Sequence, residues 1–328
     1  MIPTVRLAVD LQALQIDGIA DRGIGRYIAG ASAALARVGR VAAGLLAPEL
    51  PPPAGLPVEL STTGLARFDS IDELRRLLTD GGPIAHHVPA PFLHTGPLDP
   101  SVLVIAPHWA EAGAPRVVTL HDLIPLRDPA RYLPTAAHVE RYRSRASWVA
   151  GSDLILTNSE YTRREAIELL DCEPSTVVTV GVGVSPFFAP PDGTDDELFR
   201  YWLAPVEHRP FVLTIGGSDA RKGTERLVES LGLVVAGGID VALVVIGDLT
   251  APWRHRLTET ARRAGVEDRL FLTGPVGDDV LRASYRRAAV TVTPSLMEGF
   301  GLPVLESAAC GTPALASATT ALVEAAAT

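Results

Sequence analysis

The chain has 328 residues, of which 47% are apolar and 20% charged, and its formal net charge is −9. This length and apolar content suit a globular protein with two domains. The negative balance argues against a nucleic-acid partner, because phosphate backbones attract basic surfaces. No stretch resembles a signal peptide and no apolar run approaches the roughly 20 residues needed to cross a bilayer, which predicts a soluble cytoplasmic protein.

The first predicted unit is a strand, a glycine-containing loop and a helix. Residues 6–10 form an apolar run, and residues 28–38 place alanines and leucines on one helical face, as in an α/β unit. Between them, Gly23 and Gly25 would let the loop approach a bound phosphate or sugar. A tight turn beside a structural arginine explains the same two glycines equally well.

The rest of the first domain continues the α/β pattern. We predict strands at residues 41–46, 102–106, 116–120, 153–157 and 176–180, and helices at residues 69–79, 132–150 and 161–170. His121 and Asp122 follow one of these strands, and ligands of open α/β sheets bind beyond the carboxyl ends of strands. His121 is therefore a candidate site residue, although a histidine that only hydrogen-bonds a loop remains the alternative.

Two further groups of side chains in this half invite a binding role. Arg141, Arg143 and Arg145 on the predicted helix could attract an anionic acceptor or a lipid diphosphate, which would allow a weak peripheral contact with the inner face of the plasma membrane, but a solvated face is the simpler interpretation. The second group is four of the eight histidines: His86, His87, His94 and His108. Their spacing matches no compact zinc pattern, so we predict no metal. The two cysteines are interpreted as reduced packing residues.

A segment rich in proline and acidic residues at 186–197 indicates an interdomain linker. We therefore place the first domain at residues 1–190, the linker at 191–209 and the second domain at 210–328. Its predicted strands are residues 211–215, 241–246, 270–273, 290–293 and 312–317, and its predicted helices are residues 224–235, 252–264, 278–288 and 304–310. No element is predicted for residues 318–328.

The first strand of the second domain leads into a loop that suits an anion. Gly216 and Gly217 open the loop, and Arg221 and Lys222 stand just before the next helix. Lys222 is the only lysine of the chain. A helix start with a nearby point charge and a bidentate donor is a favourable anion site, and a surface pair of cations is the alternative.

Two glutamates flank a second glycine-rich loop and a helix start. Gly299 and Gly301 allow the backbone to come close to a ligand, while Pro303 suits the first helical position and Gly311 the position past the helix end. This predicts a short helix with Glu306 in its first turn.

The chemistry of this stretch fits a nucleotide sugar. Amides around Phe300 and Leu302, at the positive end of the helix dipole, form a site for a diphosphate. Glu298 and Glu306 can accept hydrogen bonds from hydroxyls on either side of it. The alternative is that both glutamates only cap or solvate the helix start.

The string Glu298-Gly-Phe-Gly-Leu-Pro-Val-Leu-Glu306 resembles the paired-glutamate motif of retaining GT-B glycosyltransferases of family 4. The segments Gly23-Ile-Gly-Arg-Tyr27 and 119–129 are also similar to that family, the latter particularly to polysaccharide mannosyltransferases. The resemblance implies that Glu298 and His121 contact the transferred sugar.

The same resemblance assigns other residues to the nucleotide. Glu306 would bind the ribose, Lys222 the diphosphate, and backbone groups at Thr273, Gly274 and Val276 the base. Many relatives carry an arginine where this chain has Gly217, so Arg221 would be the arginine partner. Catalysis would then involve Lys222, Arg221, His121 and Glu298.

The fold that this resemblance implies is α/β and GT-B, with two Rossmann-like domains facing across a cleft and the second domain truncated at its C-terminus. The expected function is metal-independent transfer of a sugar, first of all mannose from GDP-mannose, to a glycan or lipid-linked acceptor, with no cofactor. A catalytically impaired remnant that still binds nucleotide is the alternative. A dehydrogenase is a weaker reading, because the Gly23-Ile-Gly25 loop lacks a third glycine at the required spacing.

Overall fold

The computed structural model describes residues 7–16, 20, 23–46, 50–53, 55–61, 65–67, 84–87, 115–191, 193, 201–206 and 208–327. Contacts divide the chain into two compact units, Met1–Val182 and Gly183–Thr328. Each unit is built on one sheet, and every strand pairing in the described residues is parallel. The predicted α/β class is therefore confirmed.

The sheet of the first unit has the order β3-β2-β1-β4-β5-β6-β7. Its strands are β1 (Leu7–Asp10), β2 (Val41–Leu46), β3 (Leu65–Arg67), β4 (Ile84–His87), β5 (Arg116–Leu120), β6 (Leu154–Thr157) and β7 (Val177–Thr179). Val118 and Leu120 of β5 are fully buried, as expected for an interior strand of a parallel sheet.

The helices of the first unit are α1 (Gly23–Arg37), α2 (Val58–Ser61), α3 (Ile124–Arg127), α4 (Pro129–Tyr132), α5 (Ala136–Ala150) and α6 (Glu160–Leu170). Side-chain caps fix two of the starts. The Thr135 hydroxyl accepts from the amide of His138 at the start of α5, and the Ser159 hydroxyl accepts from the amide of Thr162 at the start of α6.

The sheet of the second unit has the order β10-β9-β8-β11-β12. Its strands are β8 (Phe211–Ile215), β9 (Ala242–Ile246), β10 (Leu270–Gly274), β11 (Val290–Thr293) and β12 (Ala314–Ala316). Its helices are α7 (Thr224–Ala236), α8 (Ala251–Arg263), α9 (Asp278–Arg287), α10 (Leu302–Ala309) and α11 (Leu322–Ala327). Chain order reverses between β8 and β11, and such a reversal opens a crevice at the carboxyl edge of a parallel sheet.

Most predicted elements are confirmed, and three differ. The predicted helix 132–150 begins only at Ala136, after α3 and α4, whose prolines occupy early helical positions. Gly23 opens α1, so the predicted loop at Gly23 and Gly25 is wrong and both glycines are helical. The terminal segment forms α11. The predicted helix 69–79 and strand 102–106 lie outside the described residues.

The boundary between the units falls earlier than the predicted limit at residue 190. Phe188 is 5% exposed and packs in the core of the second unit, where its ring meets that of Tyr285 edge-on at 6.0 Å. The Arg286 guanidinium donates to the carbonyl of Ala189 at 2.7 Å. These contacts attach the proline-rich segment to the second unit.

No helix in the described part of the chain is long and apolar enough to cross a bilayer.

Candidate functional site

The loops that follow β8 and β11 meet at the carboxyl edge of the second sheet. Gly223 has φ +68°, and a Cβ there would lie 2.3 Å from the carbonyl oxygen of Pro294. The amide of Leu296 donates to the carbonyl of Arg221 at 2.7 Å. Glycine at position 223 therefore permits both the left-handed backbone and the close approach of the two loops.

This approach forms a cluster of opposite charges around Glu298. Lys222 Nζ lies 2.7 Å from Glu298 Oε1, and Arg221 Nη1 lies 2.8 Å from Oε2. The hydroxyl of Ser295 donates to Oε1 at 2.7 Å. The side chain of Glu298 is 12% exposed, that of Arg221 9% and that of Lys222 27%. All three charged residues are predicted from the sequence to belong to the site, but their binding to one another is not.

The cluster strongly favours the ionised form of Glu298. Burial alone would raise the pKa of this carboxyl, but the charges of Lys222 and Arg221 and the hydrogen bonds from Lys222 and Ser295 outweigh it and lower the pKa to about 2. Glu298 is thus a carboxylate at neutral pH, able to accept hydrogen bonds only.

Arg221 and Lys222 differ in how firmly they are held. Arg221 also donates to Asp219 Oδ2 at 3.1 Å and to the carbonyl of Met297 at 2.7 Å. It therefore fixes the shape of both loops. The described side-chain hydrogen bond of Lys222 is to Glu298, and the side chain of Lys222 is more exposed than that of Arg221. Lys222 is consequently the cation better able to reach an incoming anion.

Glu306 lies on α10 and is 3% exposed. The hydroxyl of Tyr285, itself fully buried on α9, donates to Glu306 Oε2 at 2.9 Å. Because α10 begins at Leu302, Glu306 lies in the second helical turn. The prediction that it lies in the first turn is therefore wrong. Its assignment to a ribose remains a prediction. Tyr285 was missed because a buried tyrosine on a helix looks like an ordinary core residue.

The loop before α10 has the geometry of a close backbone approach. Gly301 has φ +129°, and a Cβ there would lie 2.8 Å from Leu322 Cδ2. Pro303 is the second residue of α10 and not the predicted first, and the amide of Val304 donates to the carbonyl of Gly301 at 2.9 Å. Gly299 and Gly301 are buried. The anion site at the amides around Phe300 and Leu302 remains a prediction.

Other predicted donor residues lie at the same edge of the second sheet. Gly216 packs against Val245, while Gly217 has open space around its Cα. Thr273 donates to the carbonyl of Gly274 at 2.8 Å, and Gly274 has φ +82°. Val276 is half-buried against the core of this unit. Because β10 is two strands away from β8, the predicted base site is separated along the edge from the ionic cluster.

The predicted site residues of the first unit gather at the carboxyl end of β5. His121 is 4% exposed, and its ring meets that of Tyr27 edge-on at 5.0 Å. Thr162 of α6 donates to the carbonyl of His121 at 3.3 Å. Tyr27 lies on α1 about one turn beyond Gly23 and two residues beyond Gly25, so this ring contact links the start of α1 to His121. Asp122 accepts from the amide of Ile124 at the start of α3.

The remaining sequence expectations concern metals and thiols. Among the described residues, no group of three or more His, Cys, Asp or Glu side chains could hold a metal ion. His94 and His108 lie outside these residues. Cys172 and Cys310 are buried and form no disulfide, and both lie in hydrophobic cores, which confirms their interpretation as reduced packing residues.

Known proteins resemble this chain in sequence and in fold. Residues 196–327 match the family Glycosyl transferases group 1. The chain is 32% identical over 214 residues to the serotype-specific mannosyltransferase WbdA of Escherichia coli, which covers 63% of this chain and 26% of the relative. It is 31% identical over 217 residues to a D-inositol 3-phosphate glycosyltransferase of Acidothermus cellulolyticus, covering 62% and 47%. The chain thus spans about a quarter to about half of these relatives.

A solved structure extends the likeness to nearly the whole chain. Anabaena Alr3699/HepE, crystallised with UDP and glucose, superposes with a TM-score of 0.69 over 98% of this chain and 82% of that protein, at 14% identity. The architecture is therefore the GT-B fold of glycosyltransferases. Within it, residues 196–327 are the part that matches the family Glycosyl transferases group 1.

Proposed function

We propose that this chain is a retaining, metal-independent glycosyltransferase that moves a hexose from a nucleotide diphosphate-sugar to a glycan or lipid-linked acceptor. The observation that carries the proposal is the cluster of Lys222, Arg221 and Glu298 at the switch point of the second sheet. It places two cations, and one carboxylate that can accept hydrogen bonds from hydroxyls, beside a glycine-rich helix start. A sugar diphosphate needs both kinds of partner.

In this proposal the second unit holds the donor. Lys222, Arg221 and the amides from Phe300 to Leu302 stabilise the negative charge that develops on the departing diphosphate, which is the role that a divalent cation has in other enzymes. Glu298 accepts hydrogen bonds from hydroxyls of the transferred sugar. Glu306 accepts a hydrogen bond from the ribose.

The proposed reaction breaks the bond between the anomeric carbon and a phosphate oxygen and forms a bond from that carbon to an acceptor oxygen. The proton of the acceptor hydroxyl passes to the leaving phosphate on the same face, so the anomeric configuration is retained. His121 orients the sugar. We infer GDP-mannose as the first donor to test, supported by the similarity of residues 119–129 to polysaccharide mannosyltransferases and by the likeness to WbdA.

The decisive experiment is calorimetric titration of the full chain with GDP, UDP, GDP-mannose and UDP-glucose, followed by an acceptor screen. We expect one nucleotide series to bind and Lys222→Ala to weaken it about tenfold or more, since a charge-assisted contact to phosphate is lost. Arg262→Ala is the matched control, because this arginine is 54% exposed and pairs with glutamates of its own surface. Its affinity should equal that of the wild type.

The outcomes separate the candidate functions. Transfer to an acceptor with retained configuration supports the enzyme. Binding without transfer to any acceptor supports the alternative of an inactive nucleotide-binding protein. A folded chain that binds no nucleotide contradicts both.

A further inference from the structure

The segment after β12 contains a strained residue in contact with the Glu298 loop. Thr320 has φ +48°, a left-handed conformation that is unfavourable for a residue branched at Cβ. Glycine would adopt this conformation at no steric cost. Backbone strain of this kind persists only where the surrounding contacts impose it, and it concentrates at functional sites.

The contact that accompanies this strain is a hydrogen bond to Glu298. The backbone amide of Glu298 donates to Thr320 Oγ1 at 3.0 Å. A glycine at position 320 would relieve the strain but could not make this bond. The Thr320 hydroxyl therefore gives the loop a hydrogen-bond acceptor, which glycine, the sterically preferred residue, would lack.

Neighbouring bonds tie the same two segments together. Thr319 donates through its hydroxyl to the carbonyl of Ser295 at 3.3 Å, and the amide of Ser317 donates to the carbonyl of Thr293 at 3.1 Å. Leu322, which is fully buried, packs against Gly301 at the other end of the loop. The loop from 295 to 301 is thus supported by residues 317–322 on one side.

Arg221 and Lys222 also hold this loop, through the Glu298 carboxylate and the carbonyl of Met297. The side chain of Glu298 is therefore held by cations while its backbone is held by Thr320. Side-chain attraction alone would let the carboxylate follow Lys222 when that lysine moves towards an anion. A fixed amide keeps the carboxylate at the place where a sugar hydroxyl would meet it.

We propose that Thr320 is a positioning residue for Glu298, and that its hydroxyl sets the recognition of the sugar part of the donor and not of the nucleotide part. This inference rests on the proposed function for its ligand, but its structural core concerns only Thr320 and the amide of Glu298. The two parts are tested separately.

The first test measures amide hydrogen exchange at Glu298 by NMR. Thr320→Val keeps the branched shape and removes the acceptor, so exchange at Glu298 should become about tenfold faster or more. Thr320→Ser keeps the acceptor and should stay close to the wild type. Thr320→Gly should exchange as fast as the valine variant while melting at a higher temperature than it, because the strain is gone. Unchanged exchange in Thr320→Val would overturn the inference.

The second test compares affinities for a nucleotide and for its sugar conjugate. Thr320→Val should weaken binding of GDP-mannose, or of whichever sugar nucleotide the wild type binds, by about tenfold, and leave the affinity for the free nucleoside diphosphate within about twofold. Thr320→Ser should restore the sugar nucleotide. Thr258→Val, which loses a hydroxyl bond to the carbonyl of Arg254 on α8, controls for general destabilisation.

Failure of the two proposals looks different. If the wild type binds neither ligand, the proposed function fails, and the exchange measurement still decides whether Thr320 positions Glu298. If both ligands weaken equally in Thr320→Val, or if serine does not restore binding, the residue only stabilises the fold and the inference is wrong.

Discussion

The carboxyl edges of the two sheets are held by different kinds of contact. At the second sheet, Glu298 binds two cations from the loop after β8. At the first sheet, His121 meets the ring of Tyr27 and accepts a hydrogen bond through its carbonyl. One edge therefore depends on charge and should respond to pH, whereas the other depends on the shape of an aromatic contact. The difference can be measured through stability, before any substrate is known.

The largest effect is expected from Glu298→Gln at neutral pH. The variant keeps the size of the side chain but removes the described counter-charge of Lys222 and one of the two carboxylates that bind Arg221, in a poorly solvated place, so the free energy of unfolding should fall by about 3 kcal/mol. Urea unfolding measures it. Glu168→Gln is the control, since that carboxylate is 62% exposed beside Arg127 and its ion pair is screened by water, so its loss should be much smaller. Equal losses in the two variants would contradict the ranking.

Acid should remove the same contribution from the wild type. A carboxyl whose pKa is lowered on folding stabilises the folded protein fully at pH values above the pKa of the unfolded state, which is 4.5 for this group. This contribution is lost as the pH falls towards the folded-state pKa of about 2. The difference in unfolding free energy between the wild type and Glu298→Gln should therefore shrink across that window. Other carboxylates cancel in this difference. A gap independent of pH would show that the lowered pKa of Glu298 is not the source of the stability.

A smaller effect is expected where the second edge relies on a neutral donor. Tyr285→Phe removes the hydroxyl that donates to the buried Glu306, which should cost about 1–2 kcal/mol in urea unfolding. Tyr201→Phe, at a side chain that is 81% exposed, should change nothing measurable. If Tyr285→Phe were also silent, water or another group would have to satisfy Glu306.

The smallest effect belongs to the first edge. Tyr27→Leu removes the edge-on ring contact with His121 and should cost about 1 kcal/mol. Tyr27→Phe keeps the ring and should lose less. Thermal unfolding followed by tyrosine and tryptophan fluorescence compares the two variants. Equal losses would mean that the ring geometry contributes nothing beyond burial.

Much of this architecture was readable from local patterns. The strand β8 was predicted at its observed bounds because an apolar run ends at a glycine pair. The helices α3 and α4 were not predicted, although Pro125 and Pro129 fit the first helical turn. Gly23 was placed in a loop that would approach a phosphate or sugar, yet it begins α1.

The site residues were predicted better than their connections. Glu298 and Lys222 are separated by 76 positions in the chain, and only the order of strands β8 and β11 brings them together. The hydrogen bond between Thr320 and Glu298 could not be predicted from the sequence, because a left-handed backbone is normally predicted only at glycine. Long-range pairing and strain are properties of the folded chain, so motifs indicate the chemistry of a site without showing how it is held.

The single lysine gives this protein an unusual chemical property. An amine-reactive reagent has one side chain to attack, and that amine is partly shielded by the carboxylate of Glu298. Acylation of Lys222 would abolish its charge and its ion pair together. A ligand that covers the amine would slow this labelling. The labelling rate of Lys222 would therefore measure how much of the site is occupied, without an introduced tag.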